Sequence, residues 1–447
     1  MEPPEKNAPD WIIAAVVKNE SVSINIRRDY ALILLERKSP LIDDPEISQI
    51  LFSIDSRSSK RASFDVWDTL ISRRSVEDKH RDPEGVFPIM ENVLKVRPGD
   101  LLISDHYAPY DFLKHLIEIT TGLKNELYLS ESDKLSGKAW KDLGHTISFH
   151  YGDNPAADYH IPKSHGVSAH LYTGPVLTEV EAALRTEFPD LALTIRQARL
   201  MTYNQKYRDY QHLQTQINFP LLYLASLILH ERCLKDGIVN ILMSSRDSCL
   251  WVKLYNQLSC FGRWPEKAVY FYSSRMSRTN PSQEYLSYVK NLITDHTLVL
   301  DLCGYGNTLP KLVDKINPNI PIVLLSKFPH SKPNRTEGLV KYYVAAQIEC
   351  ANFARHPQFL DIVDGKPVFF NPANIPWESQ PEIEVGHKTF EFCLSLLEGE
   401  IPKVGLAELH IGKLMKTLEM NGGEPIRFLT NLQAQEEPAI LSHIEQM

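Results

Sequence analysis

The chain has 447 residues, of which 43% are hydrophobic and 23% charged, a composition typical of a globular protein long enough for two or three domains. Its formal net charge of -8 argues against a dedicated nucleic-acid-binding protein, which would carry a concentrated basic face. The sequence has no apolar run near the roughly 20 residues of a membrane span, and its N-terminus lacks the basic and apolar regions of a signal peptide. We therefore expect a cytoplasmic protein without a membrane partner.

Residues 1–60 begin with a short proline-rich tail, which is followed by sequence of mixed helical character. This part of the chain contains no recognisable cluster of reactive side chains. It is predicted to be a helical N-terminal extension packed on the first domain, and an arm that binds a partner is the alternative.

The next segment, residues 62–70, is an apolar strand that ends on Asp65 and passes at once into a tight loop containing Thr69. A carboxylate at the C-terminal end of a buried strand, beside loop amides that can hold an anion, suits nucleophilic attack or metal ligation. A second apolar strand, residues 100–105, ends near the hydroxyl of Ser104. Strands and helices alternate from residue 63 to residue 171, which predicts a doubly wound α/β domain over residues 61–175.

Four short motifs in this domain resemble those of the haloacid dehalogenase (HAD) superfamily of hydrolases and phosphatases. They are carried by Asp65 with Thr69 four positions later, by Ser104, by Lys134, and by the acidic pair Asp153 and Asp158. The resemblance implies that Asp65 attacks phosphorus to form an aspartyl-phosphate, while Ser104 and Lys134 bind the phosphoryl oxygens. It also implies that Thr69 contacts the substrate and that Mg²⁺ is held by Asp65, Asp153 and Asp158.

One position departs from the phosphatase pattern. HAD phosphatases usually carry a second Asp two residues after the nucleophile, as the acid that protonates the leaving group, and this chain has Trp67 there. Asp68 follows one residue later, where the side chain takes another direction. A site that has lost its chemistry and keeps a structural role therefore stays open. Four histidines lie near the fourth motif and are interpreted mostly as surface residues: His145, His150, His160 and His165. The alternative is that His150 or His160 replaces the missing acid and base.

Helical periodicity replaces the alternation of strands and helices in residues 176–236. This segment is therefore predicted to be a helical connector. Residues 237–447 again alternate strands with helices, which predicts a second α/β domain. Its first strand runs directly into Ser245, Arg246 and Asp247. These residues form a polar turn that leads into a predicted helix from about residue 249 to residue 258.

The turn after the third strand of this domain is a second candidate site. Asp301 ends the strand and is followed by Gly304, Gly306, Asn307 and Thr308, and then by a predicted helix. A carboxylate, a glycine-bearing turn, a hydroxyl and a helix N-terminus together form an arrangement that can hold a phosphate with backbone amides and the helix dipole.

This turn resembles the ribose-phosphate loop of type I phosphoribosyltransferases. The resemblance implies that Asp301 holds ribose hydroxyls, that residues 305–308 hold the 5′-phosphate, and that residues 245–248 match the pyrophosphate loop. The family usually has two acids, whereas Leu300 occupies the first acidic position here and Tyr305 replaces the first Thr. A transferase, a retained fold that binds a ligand without that reaction, and a purely structural turn all stay open.

The sequence as a whole predicts an α/β protein with two doubly wound, Rossmann-like parallel-sheet domains, a helical connector and a C-terminal helical layer. The leading functional hypothesis is a Mg²⁺-dependent phosphomonoesterase that acts on a phosphorylated nucleotide, sugar or related small metabolite. The alternatives are phosphoribosyl transfer in the second domain and a sensor of such metabolites that regulates a partner without catalysis. The sequence leaves open whether the protein has a protein partner or forms a homo-oligomer.

Overall fold

The computed structural model describes residues 60–74, 85–328, 334–340, 347–398, 400–421 and 423–446, together with 8–19, 27, 30–31, 33–34, 37, 39–44, 46–47 and 50. The chain forms two compact units, Met1–Val176 and Leu177–Met447. Helix α1 (Asp10–Lys18) belongs to the predicted N-terminal extension. Much of the remaining extension, up to residue 60, lies outside the described residues.

The first unit is built around a parallel sheet. Its strands are β1 (Arg61–Asp65), β2 (Ile71–Arg73), β3 (Val86–Pro88), β4 (Leu101–Asp105), β5 (Glu126–Ser130), β6 (Ile147–Gly152) and β7 (Ser168–Leu171). Five of them form the sheet in the order β5-β4-β1-β6-β7, while β2 and β3 pair as an antiparallel hairpin. The chain starts at β1, builds outward to β5 and then returns to β6 on the other side of β1. Strands β1 and β6 therefore flank the topological switch point, where a crevice opens at the carboxyl ends of the strands.

Both faces of this sheet are buried. From residue 60 onward, the described α-helices of this unit are α2 (Met90–Val93), α3 (Tyr110–Thr121), α4 (Asp133–Ser136), α5 (Lys138–Leu143) and α6 (Ile161–Ser164). Successive strand residues point to opposite faces, so Leu102 packs in one apolar cluster with residues of α3, whereas Leu101 and Ile103 pack in another with Trp140. Because both faces are covered, β4 can begin with the continuous apolar run Leu101–Ile103.

The second unit contains another parallel sheet. Its strands are β8 (Asn240–Ser244), β9 (Lys267–Phe271), β10 (Thr297–Gly304), β11 (Ile322–Lys327), β12 (Thr336–Gly338), β13 (Gln358–Val363) and β14 (Lys366–Phe370). The first five form the sheet in the order β12-β11-β10-β8-β9, and the last two form an antiparallel hairpin. The strand order reverses between β8 and β10, which places the switch point of this sheet between the loops that follow those two strands.

The segment predicted as a connector, residues 176–236, belongs to the second unit from Leu177 onward. The helices of that unit are α7 (Glu179–Leu184), α8 (Pro189–Met201), α9 (Arg208–Leu213), α10 (Phe219–Asp236), α11 (Cys249–Gly262), α12 (Arg275–Thr279), α13 (Gln283–Leu292), α14 (Leu309–Val313), α15 (Gln347–Ala351), α16 (Pro381–Ser395), α17 (Ala407–Asn421) and α18 (Gly423–Gln446). Every residue from 219 to 227 is buried. A helix that is apolar on all sides is a core helix, and α10 accordingly packs in the main apolar cluster of the unit.

The prediction of an α/β protein with two parallel sheets flanked by helices is confirmed. Within the part of the chain that the structure describes, no helix has both the length and the apolar character of a membrane span.

Candidate active site and ligand cavity

Three carboxylates of the first unit meet at the switch point of its sheet. Asp65 is the last residue of β1, and Asp153 directly follows β6. Because the carboxyl ends of these neighbouring parallel strands lie at the same edge, their side chains converge there, and Asp158 joins them from the next turn. One carboxylate oxygen of each of Asp65, Asp153 and Asp158 lies within 4.8 Å of the others. Such a cluster of oxygen donors can hold a divalent cation.

A π-helical turn, Pro155–His160, carries Asp158 into this cluster. Asn154 begins the turn, since its side chain accepts hydrogen bonds from the amides of Ala156 at 2.9 Å and Ala157 at 3.1 Å. The backbone amide of Asn154 donates to Asp158 Oδ2 at 3.0 Å. A Cβ atom on Gly152 would lie 2.4 Å from the Asp158 side chain, so the approach of Asp158 requires glycine at position 152.

Lys134 links two of the three carboxylates. Its ammonium group donates to Asp65 and, at 2.7 Å, to Asp158 Oδ1, and the side chain is almost fully buried. The short helix α4 that carries Lys134 is held by Asp105, whose carboxylate accepts the amides of Lys134 at 3.1 Å and Leu135 at 3.2 Å. Sequence reasoning assigned Asp105 no role, although a carboxylate at the end of the second strand was a usable signal.

His150 is a fully buried member of the same cluster. Its Nε2 lies 3.1 Å from Asp158 Oδ1 and its Nδ1 lies 2.8 Å from Ser63 Oγ. A ring that donates from Nε2 to the carboxylate and accepts the Ser63 hydroxyl at Nδ1 satisfies both contacts while neutral, and burial lowers the pKa of His150. The interpretation of this residue as a surface histidine was wrong. The other three histidines near the motif are exposed, namely His145, His160 and His165.

Burial and mutual charge shift the pKa values of the carboxylates apart. Burial raises the pKa of Asp65 well above its usual range, despite the opposing charge of Lys134. Burial together with the charges of Asp68 and Asp158 raises the pKa of Asp153 to about 7. Burial would raise the pKa of Asp158 as well, but Lys134 and His150 lower it below its usual range. Three carboxylates around one ammonium group leave the cluster electrostatically suited to a further cation.

The remaining predicted residues, Ser104 and Thr69, come from the neighbouring strand β4 and from the loop after β1. Ser104 is buried and follows Ile103, which pairs with Asp65 across the sheet. Thr69 and Trp67 come from the loop after β1. Within the described part of the chain, Thr69 Oγ1 and Trp67 Nε1 are buried atoms without a hydrogen-bond partner.

Asp68 adds a fourth carboxylate near the cluster, which sequence reasoning set aside. It adopts a left-handed backbone conformation with φ of 51°, which Asp tolerates better than most residues. Its carboxylate accepts the Ser72 hydroxyl at 2.6 Å, and its charge acts on Asp153. Arg73 stacks on the Trp67 ring at 4.3 Å, so a cation also lies at the edge of the site.

The second unit holds a cavity of about 830 Å³ at the switch point between β8 and β10. All eight residues predicted to bind a ligand in this unit line it: Ser245, Arg246, Asp247, Asp301, Gly304, Gly306, Asn307 and Thr308. Residues from two loops about 60 positions apart in sequence thus meet in one space, because β8 and β10 are neighbours in the sheet.

The glycine-bearing turn has the shape that its sequence predicts. Gly306 has φ of 68°, and a Cβ there would lie 2.1 Å from Thr336 Oγ1 of β12, so the turn can approach β12 only with glycine at this position. The helix that follows, α14, is only 5 residues long. Its dipole is correspondingly weaker than the predicted helix N-terminus would supply.

Most polar groups of the two loops already have partners within the unit. The Ser245 hydroxyl donates to the Ser273 carbonyl and accepts the Ser273 amide, both at 2.8 Å. Asp301 forms an ion pair with Arg278 at 2.8 Å. Arg246 is 3% exposed, lies between the rings of Phe353 and Trp377, and forms an ion pair with Glu436 at 2.9 Å.

Two carboxyl groups in the cavity have raised pKa values although arginines lie nearby. Asp247 Oδ1 is buried without a hydrogen-bond partner among the described residues, and burial and the charge of Glu349 raise the pKa of Asp247 well above its usual range. Glu349 accepts the Cys303 thiol at 3.1 Å, and burial raises its pKa to about 7. Sequence reasoning missed Glu349, because it comes from α15, nearly 50 residues beyond the turn, and no local pattern places it here.

Comparison with protein-family models and with curated proteins finds no match for this chain. The chemistry of both sites therefore has to be argued from their own residues.

Proposed function

We propose that the first unit is a Mg²⁺-dependent phosphomonoester hydrolase of the HAD type, with Asp65 as the nucleophile. The observation that carries the proposal is the convergence of Asp65, Lys134, Asp153 and Asp158 at the switch point of a parallel sheet. A nucleophilic carboxylate, a buried cation beside it and further oxygen donors are the parts that phosphoryl transfer through a carboxylate needs.

The donor set fits magnesium. Asp65, Asp153 and Asp158 offer only carboxylate oxygens, which are the hard ligands that Mg²⁺ prefers, and their spacing allows one ion to reach all three. When bound, the ion would screen the repulsion between the Asp65 carboxylate and the phosphate oxygens. It would also favour the ionised form of Asp65, which burial disfavours.

In the proposed reaction an Asp65 oxygen attacks phosphorus, the bond from phosphorus to the leaving oxygen breaks, and the phosphoryl group remains on Asp65 as an acyl phosphate. Water then attacks this phosphorus, which releases inorganic phosphate and restores the carboxylate. Lys134 offsets the negative charge of the phosphoryl oxygens, and Asp158 keeps the lysine in place. Ser104 and Thr69 are the remaining donors assigned to phosphoryl oxygens, and Thr69 Oγ1 is a buried hydroxyl without another partner in the described residues.

Phosphate release from a panel of phosphorylated nucleotides and sugars, with Mg²⁺ or with chelator, tests this proposal. Asp65→Asn should abolish Mg²⁺-dependent release while the protein still folds. Asp142→Asn is the matched control, because it makes the same change at an exposed helix position. Release by Asp65→Asn at the rate of the control would refute the role of Asp65.

A second candidate function belongs to the cavity of the second unit. We infer that it binds a phosphorylated ribose or nucleotide, either for phosphoribosyltransferase-type chemistry or as a sensor that regulates a partner. Support comes from the way the two predicted loops line one cavity at the switch point of their sheet. In the transferase case, Asp301 would hold ribose hydroxyls.

Asp301→Asn separates these two forms of the second function. The substitution keeps the size of the side chain at position 301 and removes its charge, and so removes the ion pair with Arg278. Loss of pyrophosphate release from a phosphoribosyl donor in Asp301→Asn, with Asp65→Asn unaffected, would support transfer chemistry. Tight nucleotide binding with no turnover in the wild type would support a sensor.

A further inference from the structure

Three arginines line the cavity of the second unit, and they differ in how firmly they are held: Arg246, Arg275 and Arg278. An anionic ligand can bind to an unused donor of an arginine, or it can displace the partner of an arginine that leaves that partner at low cost. The burial and contacts of the three side chains show which one meets the second condition.

Arg246 cannot leave its partner Glu436 without a large cost in free energy. Its guanidinium lies 4.5 Å from the centre of the Phe353 ring and 4.4 Å from that of Trp377, and its partner Glu436 is 1% exposed. Withdrawing Arg246 toward a ligand would leave Glu436 as a buried, uncompensated charge, which is strongly unfavourable. The pair therefore anchors helix α18 to the unit.

Arg278 is equally fixed. It pairs with Asp301 at 2.8 Å, donates to Ser273 Oγ at 2.8 Å, and also donates to the Ser244 hydroxyl. These contacts tie Ser244 at the end of β8 to Asp301 within β10. A ligand anion could add to this network, but it could not replace it without breaking the link between the two strands.

Arg275 differs from both. Among the described residues it forms an ion pair with Glu437, at 2.7 Å, and the two side chains are 51% and 39% exposed. An exposed ion pair contributes little to stability because solvent screens both charges. A phosphate group entering the cavity can therefore take the place of the Glu437 carboxylate at small cost.

Helix α18 is built to respond to such an exchange. Its residues Thr430, Gln433, Ala434, Glu437, Pro438, Ile440 and Leu441 line the cavity. Pro438 follows Glu437 directly and cannot donate the backbone hydrogen bond of a regular helix. The helix is thus anchored at Glu436 by its ion pair with Arg246. It lacks a regular backbone hydrogen bond at Pro438, the residue after Glu437.

We propose that Arg275 is the anion-binding residue of this cavity and that Glu437 is its intramolecular competitor, so that a phosphate ester or pyrophosphate binds by displacing Glu437 and loosens the end of α18. This inference rests on the second candidate function, the binding of a phosphorylated ligand. It is independent of turnover in the first unit.

The test uses the full-length chain carrying Asp65→Asn, so that the first unit does not hydrolyse the probe, and inorganic pyrophosphate as that probe. Calorimetric titration compares Glu437→Gln with Glu445→Gln, which removes the same charge from an exposed position of the same helix. We expect Glu437→Gln to bind pyrophosphate about two- to five-fold more tightly than the control, and Arg275→Gln to lose this binding. Without ligand, hydrogen exchange of the amides of residues 434–437 and 439–441 should be faster in Glu437→Gln than in Glu445→Gln.

Equal affinities and equal exchange in the two glutamate variants would overturn the proposal. Pyrophosphate binding by Arg275→Gln at the affinity of the control would remove the role of Arg275 and leave the cavity as a ligand site. No binding by the control or by Glu437→Gln would remove both the inference and the second candidate function, while the hydrolase proposal would be unaffected.

Discussion

Gly152 and Asp158 approach so closely that a methyl group on Gly152 would lie 2.4 Å from the Asp158 Cβ. Gly152→Ala should push Asp158 away from Lys134 and His150. We expect phosphate release to fall by about 10²-fold or more, because small displacements of catalytic groups are costly, and the free energy of unfolding to fall by about 1–3 kcal/mol. Rate measurements and denaturant unfolding check both effects.

Gly144→Ala is the matched control for this prediction. Residue 144 has φ of -57°, which any residue adopts, and a Cβ there would meet only the Val167 side chain at 3.1 Å. A Gly152→Ala variant with the activity and stability of Gly144→Ala would contradict the assigned position of Asp158.

Magnesium should stabilise the folded protein. A cation that binds only the native state raises the free energy of unfolding, by about 2.7 kcal/mol at 100 times its dissociation constant. We expect Mg²⁺ to raise the Tm of the wild type and of Asp142→Asn. Asp153→Asn should abolish that rise, because it removes one of the three carboxylates. A thermal shift that persists in Asp153→Asn would place the ion elsewhere.

Trp67 should make turnover depend steeply on the leaving group. An indole cannot transfer a proton to the departing oxygen, so substrates whose leaving groups are stable anions should react fastest. In a series of aryl phosphates, we expect the rate to rise as the pKa of the leaving phenol falls. Trp67→Asp should make the rate depend less on the leaving group, because it adds a proton donor. A rate that is already independent of the leaving group in the wild type would indicate an acid elsewhere. Asp68, the next residue in the sequence, is then the first candidate.

His387 should make stability fall in mild acid. It is 6% exposed, its Nε2 donates to the Phe353 carbonyl at 2.7 Å, and its Nδ1 is buried without a partner among the described residues. Burial lowers the pKa of His387 to about 4, so below about pH 6.5 the unfolded chain takes up a proton that the folded chain does not. This contribution to stability is complete above pH 6.5 and is lost as the pH falls toward 4, by up to about 1.4 kcal/mol per pH unit.

Urea unfolding at pH 7 and pH 5 checks this prediction. The loss of stability between the two pH values should be smaller in His387→Gln than in the wild type or in His145→Gln, which changes an exposed histidine. Titrating groups other than these two histidines are common to all three proteins, so the comparison with both the wild type and His145→Gln isolates His387. An identical pH dependence in all three would contradict its burial as a neutral ring.

Local sequence was enough to predict these strands and the polar residues near their carboxyl ends. Asp65 could be found because a carboxylate that closes an apolar strand is visible within a few residues. Asp301 was found by the same signal, although β10 continues past it to Gly304, so the predicted end of that strand was wrong. The acidic pair Asp153 and Asp158 could be found because their spacing is local, although the π-helical turn that unites them was not foreseen. The glycine at position 306 was likewise a local signal of a tight turn.

The sequence by itself therefore determined the α/β class, the positions of the strand-end loops and the candidates that those loops carry, since each depends on neighbouring residues. Only the tertiary structure decided which distant segments complete the sites. His150 is buried against Asp158, Glu349 enters the cavity from another helix, and Arg246 faces the C-terminal helix and not open solvent. These relationships depend on strand order and helix packing, which bring together residues up to 190 positions apart, and no local pattern encodes them.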